Sequence, residues 1–168
     1  MGLVGGGVLA QEAAAMARGL GMKGSAWSRT SDEERAARAG VTLVELPELL
    51  ATSDFVSLHL RASPETKGII GESQLALMKP TAILVNTARG ALIDEKALAE
   101  ALAARRIGGA ALDVFVQEPL PSDSPLRQLD NVVLSPHAGG VTLEASARLR
   151  EMAVDNLIAH FAGKPCRL

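Results

Sequence analysis

Short apolar runs alternate along this chain with longer stretches in which apolar residues recur at helical spacing. Most of the short runs are continuously apolar rather than alternating in polarity. That pattern is typical of strands buried on both faces of a parallel sheet. The predicted strands are residues 2–5, 23–27, 42–44, 55–60, 82–85, 110–114 and 132–134.

Capping and breaking residues delimit the stretches between the strands. Asp94 and Thr142 suit the N-caps of two helices, and Pro47 suits the first turn of another. Segment 117–130 contains three prolines and is predicted to be a loop. The predicted helices are 8–20, 31–39, 47–51, 72–79, one running from Asp94 to about Arg106, and a last one with Ala145, Leu149, Ala153, Leu157 and Phe161 along one stripe.

Strands that alternate with helices predict an α/β fold with a doubly wound parallel sheet in three layers. The chain has 168 residues, which is a natural length for one domain. No internal repeat or linker divides it, so residues 1–168 are expected to form a single domain.

Composition narrows the classes of function. The chain is 48% hydrophobic with a formal net charge of −2, and its only aromatic residues are one Trp and three Phe. A basic surface or a base-stacking platform for nucleic acid is therefore not expected. Cys166 is the only cysteine, and no apolar run is long enough to span a membrane. These features predict a soluble, cytoplasmic protein without a metal site.

A glycine loop follows the first predicted strand and opens the first helix. It reads Gly5-Gly6-Gly7-Val8-Leu9-Ala10, a G-x-G-x-x-A pattern. Gly5 permits a tight turn, Gly7 allows the backbone to approach a pyrophosphate, and the helix N-terminus at Val8 and Leu9 favours the negative charge. The position between a strand and a helix favours a Rossmann-type dinucleotide site over a merely structural turn.

The end of the second predicted strand distinguishes between cofactors. NAD-selective sites usually place Asp or Glu about 20 residues after the glycine loop. This chain has Ser28, Arg29 and Thr30 there instead. A guanidinium and two hydroxyls suit a 2′-phosphate, so NADP is preferred over NAD. The alternative is an ordinary polar loop with a solvated arginine.

Three later strands are each followed by a residue that can take part in acid–base or carboxylate chemistry. Arg89, Glu118 and His137 follow the strands 82–85, 110–114 and 132–134. Ligands bind at the carboxyl edge of open parallel sheets. Reduction of an oxo acid needs a cation that holds it and an acid that protonates the alkoxide, and histidine titrates near neutral pH. Each residue taken alone has a structural explanation, whereas the three together indicate hydride transfer.

At these residues the sequence resembles the D-isomer-specific 2-hydroxyacid dehydrogenases, over nearly its whole length. The most specific segments are LMKPTAILVNTARGALIDE (77–95), GGAALDVFVQEPLP (108–121) and NVVLSPHAGG (131–140). The resemblance implies that Arg89 binds the substrate carboxylate and carbonyl, that His137 is the acid–base group, and that Glu118 supports His137. It also implies cofactor contacts by Asp113, which would hold the nicotinamide carboxamide, and by Thr66, Thr87, Ala88 and Gly139.

Two departures from the family pattern concern the cofactor and the substrate. The family's H-x-P segment is His59-Leu60-Arg61 here, and Arg61 either adds positive charge near a 2′-phosphate or is simply solvated. His59 and His160 are expected to be structural or surface residues. The family also carries a substrate domain before the glycine loop, and this chain is expected to lack it.

The resemblance implies an NAD(P)H-dependent reductase of small 2-oxo acids, with glyoxylate or hydroxypyruvate as plausible substrates. The chain alone is expected to turn over poorly or not at all, because no second domain closes on the substrate. A homodimer is expected from the family. The alternative is a module that binds or senses NAD(P)(H) without catalysis.

Overall fold

The computed structural model describes residues 1–30 and 32–166. These divide into two compact units, the first within Met1–Pro136 and the second beginning at His137. Within the described residues, the first unit contains a seven-stranded, wholly parallel sheet with helices. The second contains one long helix. The predicted doubly wound α/β fold is confirmed.

The sheet changes direction at its first strand, because β1 lies between β2 and β4. Its order is β3-β2-β1-β4-β5-β6-β7, and Gly2 is paired with Ser25 on one side and with Val56 on the other. The seven predicted strands are all present, with ends that differ by a few residues. The strands are β1 (Gly2–Val4), β2 (Ser25–Trp27), β3 (Thr42–Leu43), β4 (Phe55–Leu58), β5 (Ile83–Asn86), β6 (Gly109–Leu112) and β7 (Val132–Leu134).

The helices begin near the predicted caps. The carboxylates of Asp32 and Asp94 each accept a hydrogen bond from the backbone N–H three residues on, and the hydroxyl of Thr142 does the same. Ser31, the predicted first residue of the second helix, lies outside the described residues. The helices are α1 (Val8–Gly19), α2 (Glu33–Ala39), α3 (Leu46–Thr52), α4 (Glu72–Leu75), α5 (Glu95–Ala103) and α6 (Leu143–Phe161), with 3₁₀ turns at Gly90–Leu92 and Pro125–Gln128.

Two helices are shorter than the sequence predicts. Helix α5 ends at Ala103 rather than near Arg106, because Arg105 adopts a left-handed conformation with a φ of 53°. The Arg106 N–H then bonds back to the Ala101 carbonyl and closes the helix. Helix α4 ends at Leu75, and only residues 76 and 77 continue as a turn. An arginine in a position that usually holds glycine gives no signal in the sequence.

The core of the first unit is divided into two clusters of different composition. The larger, called here the leucine core, has fully buried Leu49, Leu58, Leu84, Leu98 and Leu102 among its members. The smaller, called here the alanine cluster, consists of Leu3, Ala14, Ala26 and Ala39. The buried residues of helix α1 are all alanines, which lets its axis lie close to the strands.

The expectation that strands are buried on both faces is wrong for β3 and β7, the two edge strands of the sheet, neither of which has a buried residue. Val133, in the centre of β7, is 69% exposed. Helix α6 of the second unit has the predicted apolar stripe, but Leu149, Leu157 and Phe161 are all exposed. No helix in residues 1–30 and 32–166 has the length and apolar character needed to cross a membrane.

Candidate functional site

The carboxyl ends of β1, β4, β5 and β6 lie along one edge of the parallel sheet. The switch in strand order falls between β1 and β4, which is where open α/β sheets leave a crevice for ligands. Four segments follow strands at this edge. They are the glycine loop, the segment after His59, residues 87–89 (called here the Arg89 loop) and residues 113–118 (called here the Glu118 segment). The fold therefore brings most of the predicted site residues of the first unit to one edge.

The glycine loop is held against the end of β4. Gly5 has a φ of +122°, and a Cβ there would lie 2.7 Å from the carbonyl oxygen of His59. Gly5 is thus required both for its backbone conformation and for the close approach of the two strands. At Gly7, by contrast, a Cβ would have no heavy atom within 4 Å. The space in front of Gly7 is open to a ligand.

The N-terminus of α1 has the properties of a phosphate cradle. No side chain caps it, and its first turn contains no acidic residue. Val8 and Leu9 are exposed, at 74% and 75%. The first N–H groups of a helix have no acceptor within the helix. The unpaired amide groups and the helix dipole favour an anion. These residues fit the diphosphate of a dinucleotide.

The loop after β2 presents a cation. The Ser28 hydroxyl donates a hydrogen bond to the Thr30 carbonyl at 2.5 Å, which bends the loop around Arg29. The Arg29 side chain is 55% exposed, and its Nη1 lies 3.8 Å from Oε2 of Glu65. Residues 28–30 contain no carboxylate, so the negative charge beside Arg29 comes from Glu65 on a different loop.

That second loop is organised by Thr66. The Thr66 hydroxyl accepts a hydrogen bond from the Ser63 N–H and donates one to the Arg61 carbonyl, both at 2.8 Å. Thr66 is only 1% exposed, so its hydroxyl is used within the turn. Arg61 is exposed at the start of the loop. The cofactor contacts expected of Thr66 and Arg61 stay predictions.

His59 lies where β4 meets the glycine loop. Its Nε2 is 3.0 Å from the hydroxyl of Ser57, which is itself buried. Burial lowers the pKa of His59, because the protonated ring is poorly solvated there. This environment agrees with the structural role expected for His59.

The Arg89 loop is built on a buried asparagine. The Asn86 side chain is 1% exposed; its Nδ2 donates to the Arg89 carbonyl at 2.9 Å, and its Oδ1 accepts from the Ala88 N–H at 3.0 Å. Arg89 and Thr87 are exposed beyond this turn, and Ala88 is half-buried. The Arg89 guanidinium donates to the Ala88 carbonyl at 2.6 Å. A fixed backbone thus carries an accessible arginine.

Gly90 joins the Arg89 loop to the segment that carries Glu118. A Cβ at Gly90 would overlap the carbonyl group of Phe115 and the nitrogen of Val116, so only glycine permits this contact. Glu118 accepts a hydrogen bond from the Phe115 N–H at 2.9 Å, and Glu95 accepts one from the Val116 N–H at 3.1 Å. The segments that carry two of the three predicted catalytic residues are therefore in direct backbone contact.

Asp113 lies between these elements at the end of β6. It is 6% exposed, and one of its carboxylate oxygens accepts a hydrogen bond from the Ser135 hydroxyl at 2.5 Å. A buried carboxylate with a hydroxyl donor has a defined orientation. The structure thus places Asp113 at the predicted edge of the sheet.

His137 and Gly139 belong to the second unit. His137 is exposed and has a φ of 54°, a left-handed conformation that is uncommon for residues other than glycine. Such conformations cluster at functional sites. Gly139 follows in the same segment before α6 begins.

Sequence reasoning missed four supporting residues: Asn86, Gly90, Glu95 and Ser135. Gly90, Glu95 and Ser135 each act on a segment far along the chain, so local pattern gives little sign of them. Asn86 bonds two and three residues on, within a turn that hydrophobic periodicity does not mark. The quoted family segments contain all four, and that is the one signal that could have found them. Among the described residues, no group of three or more His, Cys, Asp or Glu side chains is placed to hold a metal ion.

Comparison with known proteins identifies the family. Residues 1–139 match the model of the D-isomer specific 2-hydroxyacid dehydrogenase, NAD binding domain. The chain is 48% identical over 98% of its length to a glyoxylate reductase of Korarchaeum cryptofilum, of which it covers 49%. It therefore spans about half the length of this curated relative.

Two solved structures share the fold. A D-lactate dehydrogenase with NAD⁺ from Lactobacillus jensenii has a TM-score of 0.91 at 30% identity, over 99% of this chain and 54% of its own. An acyclic imino acid reductase in complex with NADPH and D-Arg has a TM-score of 0.86 at 36% identity, over 98% of this chain and 51% of its own. The chain belongs to the D-isomer specific 2-hydroxyacid dehydrogenase family, and residues 1–139 are its NAD binding domain.

Proposed function

We propose that this chain binds a nicotinamide dinucleotide and supplies the catalytic residues for hydride transfer between that cofactor and a small 2-hydroxy or 2-oxo acid. The observation that carries the proposal is the backbone contact at Gly90. It joins the Arg89 loop to the Glu118 segment at the same sheet edge as the glycine loop. Two segments so joined would present an arginine and a glutamate to a cofactor bound at this edge of the sheet.

The roles of the side chains follow from their chemistry. A bound dihydronicotinamide supplies the hydride in such reactions. Arg89 is exposed on a rigid turn and would pair with the carboxylate of an oxo acid in a bidentate manner. His137 would hold the proton that the developing alkoxide receives, and by the family resemblance Glu118 would favour the protonated ring.

The cofactor residues support NADP more than NAD. Arg29 offers a guanidinium, Ser28 and Thr30 offer hydroxyls, and none of the three carries a charge that repels a 2′-phosphate. Arg61 would add a second positive charge. The structural neighbours include proteins with NAD⁺ and with NADPH, so the choice depends on this chain's own residues. Asp113 would hold the carboxamide end of the cofactor.

Several expectations about the whole protein also stay proposals. Glyoxylate is a plausible substrate, because the Korarchaeum relative is a glyoxylate reductase. The homodimer rests on the family resemblance alone, and the cytoplasmic location rests on composition, with Cys166 the only cysteine.

A turnover assay tests the proposal. NADPH oxidation would be followed with glyoxylate and with hydroxypyruvate, using this chain alone and mixed with the remaining half of the Korarchaeum relative, expressed separately. Arg89→Ala is expected to abolish turnover while cofactor binding persists, and Arg38→Ala, which removes an exposed arginine of α2, is the matched control. Cofactor binding without turnover in either preparation would favour the non-catalytic binding module instead.

A further inference from the structure

Arg29, the exposed cation of the loop after β2, forms an ion pair with Glu65, a residue that has no role in the proposed function. Arg29 Nη1 lies 3.8 Å from Oε2 of Glu65, and the two side chains are 55% and 65% exposed. Glu65 is on the loop after β4, whereas Arg29 follows β2. The ion pair therefore links two loops on the two sides of β1.

The carboxylate of Glu65 is held in place rather than free to swing away. Its Oε2 accepts a hydrogen bond from the Ser63 hydroxyl at 2.6 Å. Ser63 is itself fixed by the buried hydroxyl of Thr66, which accepts the Ser63 N–H. The Ser63 hydrogen bond is the main cause of the lowered pKa of Glu65, the hydrogen bond from its own backbone comes next, and Arg29 adds least, so the group is ionised at neutral pH.

A fixed carboxylate beside Arg29 works against a 2′-phosphate in two ways. It neutralises the guanidinium that the phosphate would pair with, and it repels the phosphate's own negative charges. A 2′-hydroxyl carries no charge and experiences neither effect. The negative charge of Glu65 therefore acts on a 2′-phosphate through Arg29 and across space, and not through a hydrogen bond to the ribose.

We propose that Glu65 is the counter-ion of Arg29 and thereby weakens the preference of this chain for NADPH over NADH. The inference rests on the proposed cofactor role of Arg29. It makes Glu65 a specificity-determining residue that acts through its charge, without itself binding the cofactor.

Calorimetric titration of Glu65→Gln with NADPH and with NADH tests the proposal. The variant is expected to bind NADPH roughly two- to fivefold more tightly, as suits an exposed ion pair, with NADH affinity unchanged. The gain should shrink as salt is added. Ser63→Ala, which releases the carboxylate, should shift NADPH affinity the same way by a smaller factor. Glu100→Gln, an exposed carboxylate on α5, is the matched control.

The double variant separates the explanations. In the Arg29→Ala background, Glu65→Gln is expected to have at most a small residual effect on NADPH affinity. An undiminished gain in that background, or equal changes for both cofactors, would overturn the inference and leave the proposed function intact. If the unmodified chain bound neither cofactor, the proposed function would fail and the inference with it.

Discussion

The two faces of β1 are packed against different kinds of residue. Leu3 belongs to the alanine cluster under α1, whereas its neighbour Val4 belongs to the leucine core. The small side chains let α1 lie close to the sheet, so that its N-terminus reaches the crevice beside Gly7. The large side chains bury more apolar area and support the loops that carry Arg89 and Glu118. The alanine cluster thus gives the cofactor access to the sheet, and the leucine core supplies most of the stability.

The leucine core is expected to carry most of the stability, and Leu102→Ala is the change that tests this most strongly. Leu102 is fully buried on α5, so the substitution leaves a cavity as well as losing apolar burial. A loss of about 2–5 kcal/mol in the free energy of unfolding is expected. Denaturant unfolding would measure it. A loss below about 1 kcal/mol would contradict the assigned role of this core.

The Gly90 contact is expected to tolerate no side chain. In Gly90→Ala the new Cβ meets backbone atoms of Phe115 and Val116, which cannot rotate away. The variant should lose about 3 kcal/mol in unfolding free energy, at the upper end for overpacking. Gly140→Ala, whose Cβ would meet nothing within 4 Å, is the control and should change stability by less than about 0.5 kcal/mol. Equal behaviour of the two variants would remove the basis for a joined Arg89 and Glu118.

The alanine cluster is expected to set the distance between α1 and the sheet rather than to bury a large apolar area. Ala14→Leu places a larger side chain between α1 and the sheet, so it should push the helix outward and cost about 1–2 kcal/mol. NADPH binding should weaken with it, because the helix N-terminus moves. Ala15→Leu, at an exposed position of the same helix, should change neither quantity. Unfolding and calorimetric titration of both variants would show whether the small residues serve the cofactor site.

How much of this could be predicted from sequence depends on whether the cause is local. The strands, the caps at Asp94 and Thr142 and the glycine loop were all predicted, because apolar runs and capping residues act over a few positions. The left-handed Arg105 and the exposure of Val133 in β7 were not, because each depends on tertiary contacts or on the position of a strand in the sheet. The Glu65–Arg29 pair joins residues far apart in the chain and gave no signal.

The smallest expected effect is the pH dependence of stability that His59 causes at the end of β4. Burial lowers the pKa of His59 in the folded chain, so the unfolded chain takes up the proton more readily. The stabilisation by neutral His59 is therefore complete above the ordinary value of 6.5 and is lost as the pH falls below it. Unfolding measured from pH 7 downward should show this loss in the unmodified chain and a smaller one in His59→Asn. His160→Asn should retain the full loss.

Calorimetric titration of the unmodified chain with NADPH and NADH tests most directly whether the cofactor binds at the carboxyl end of β1. Both dinucleotides should bind, NADPH more tightly, and that difference should be lost in Arg29→Ala but not in Arg38→Ala. A folded chain that binds neither dinucleotide, or an NADPH preference that survives Arg29→Ala, would contradict this prediction.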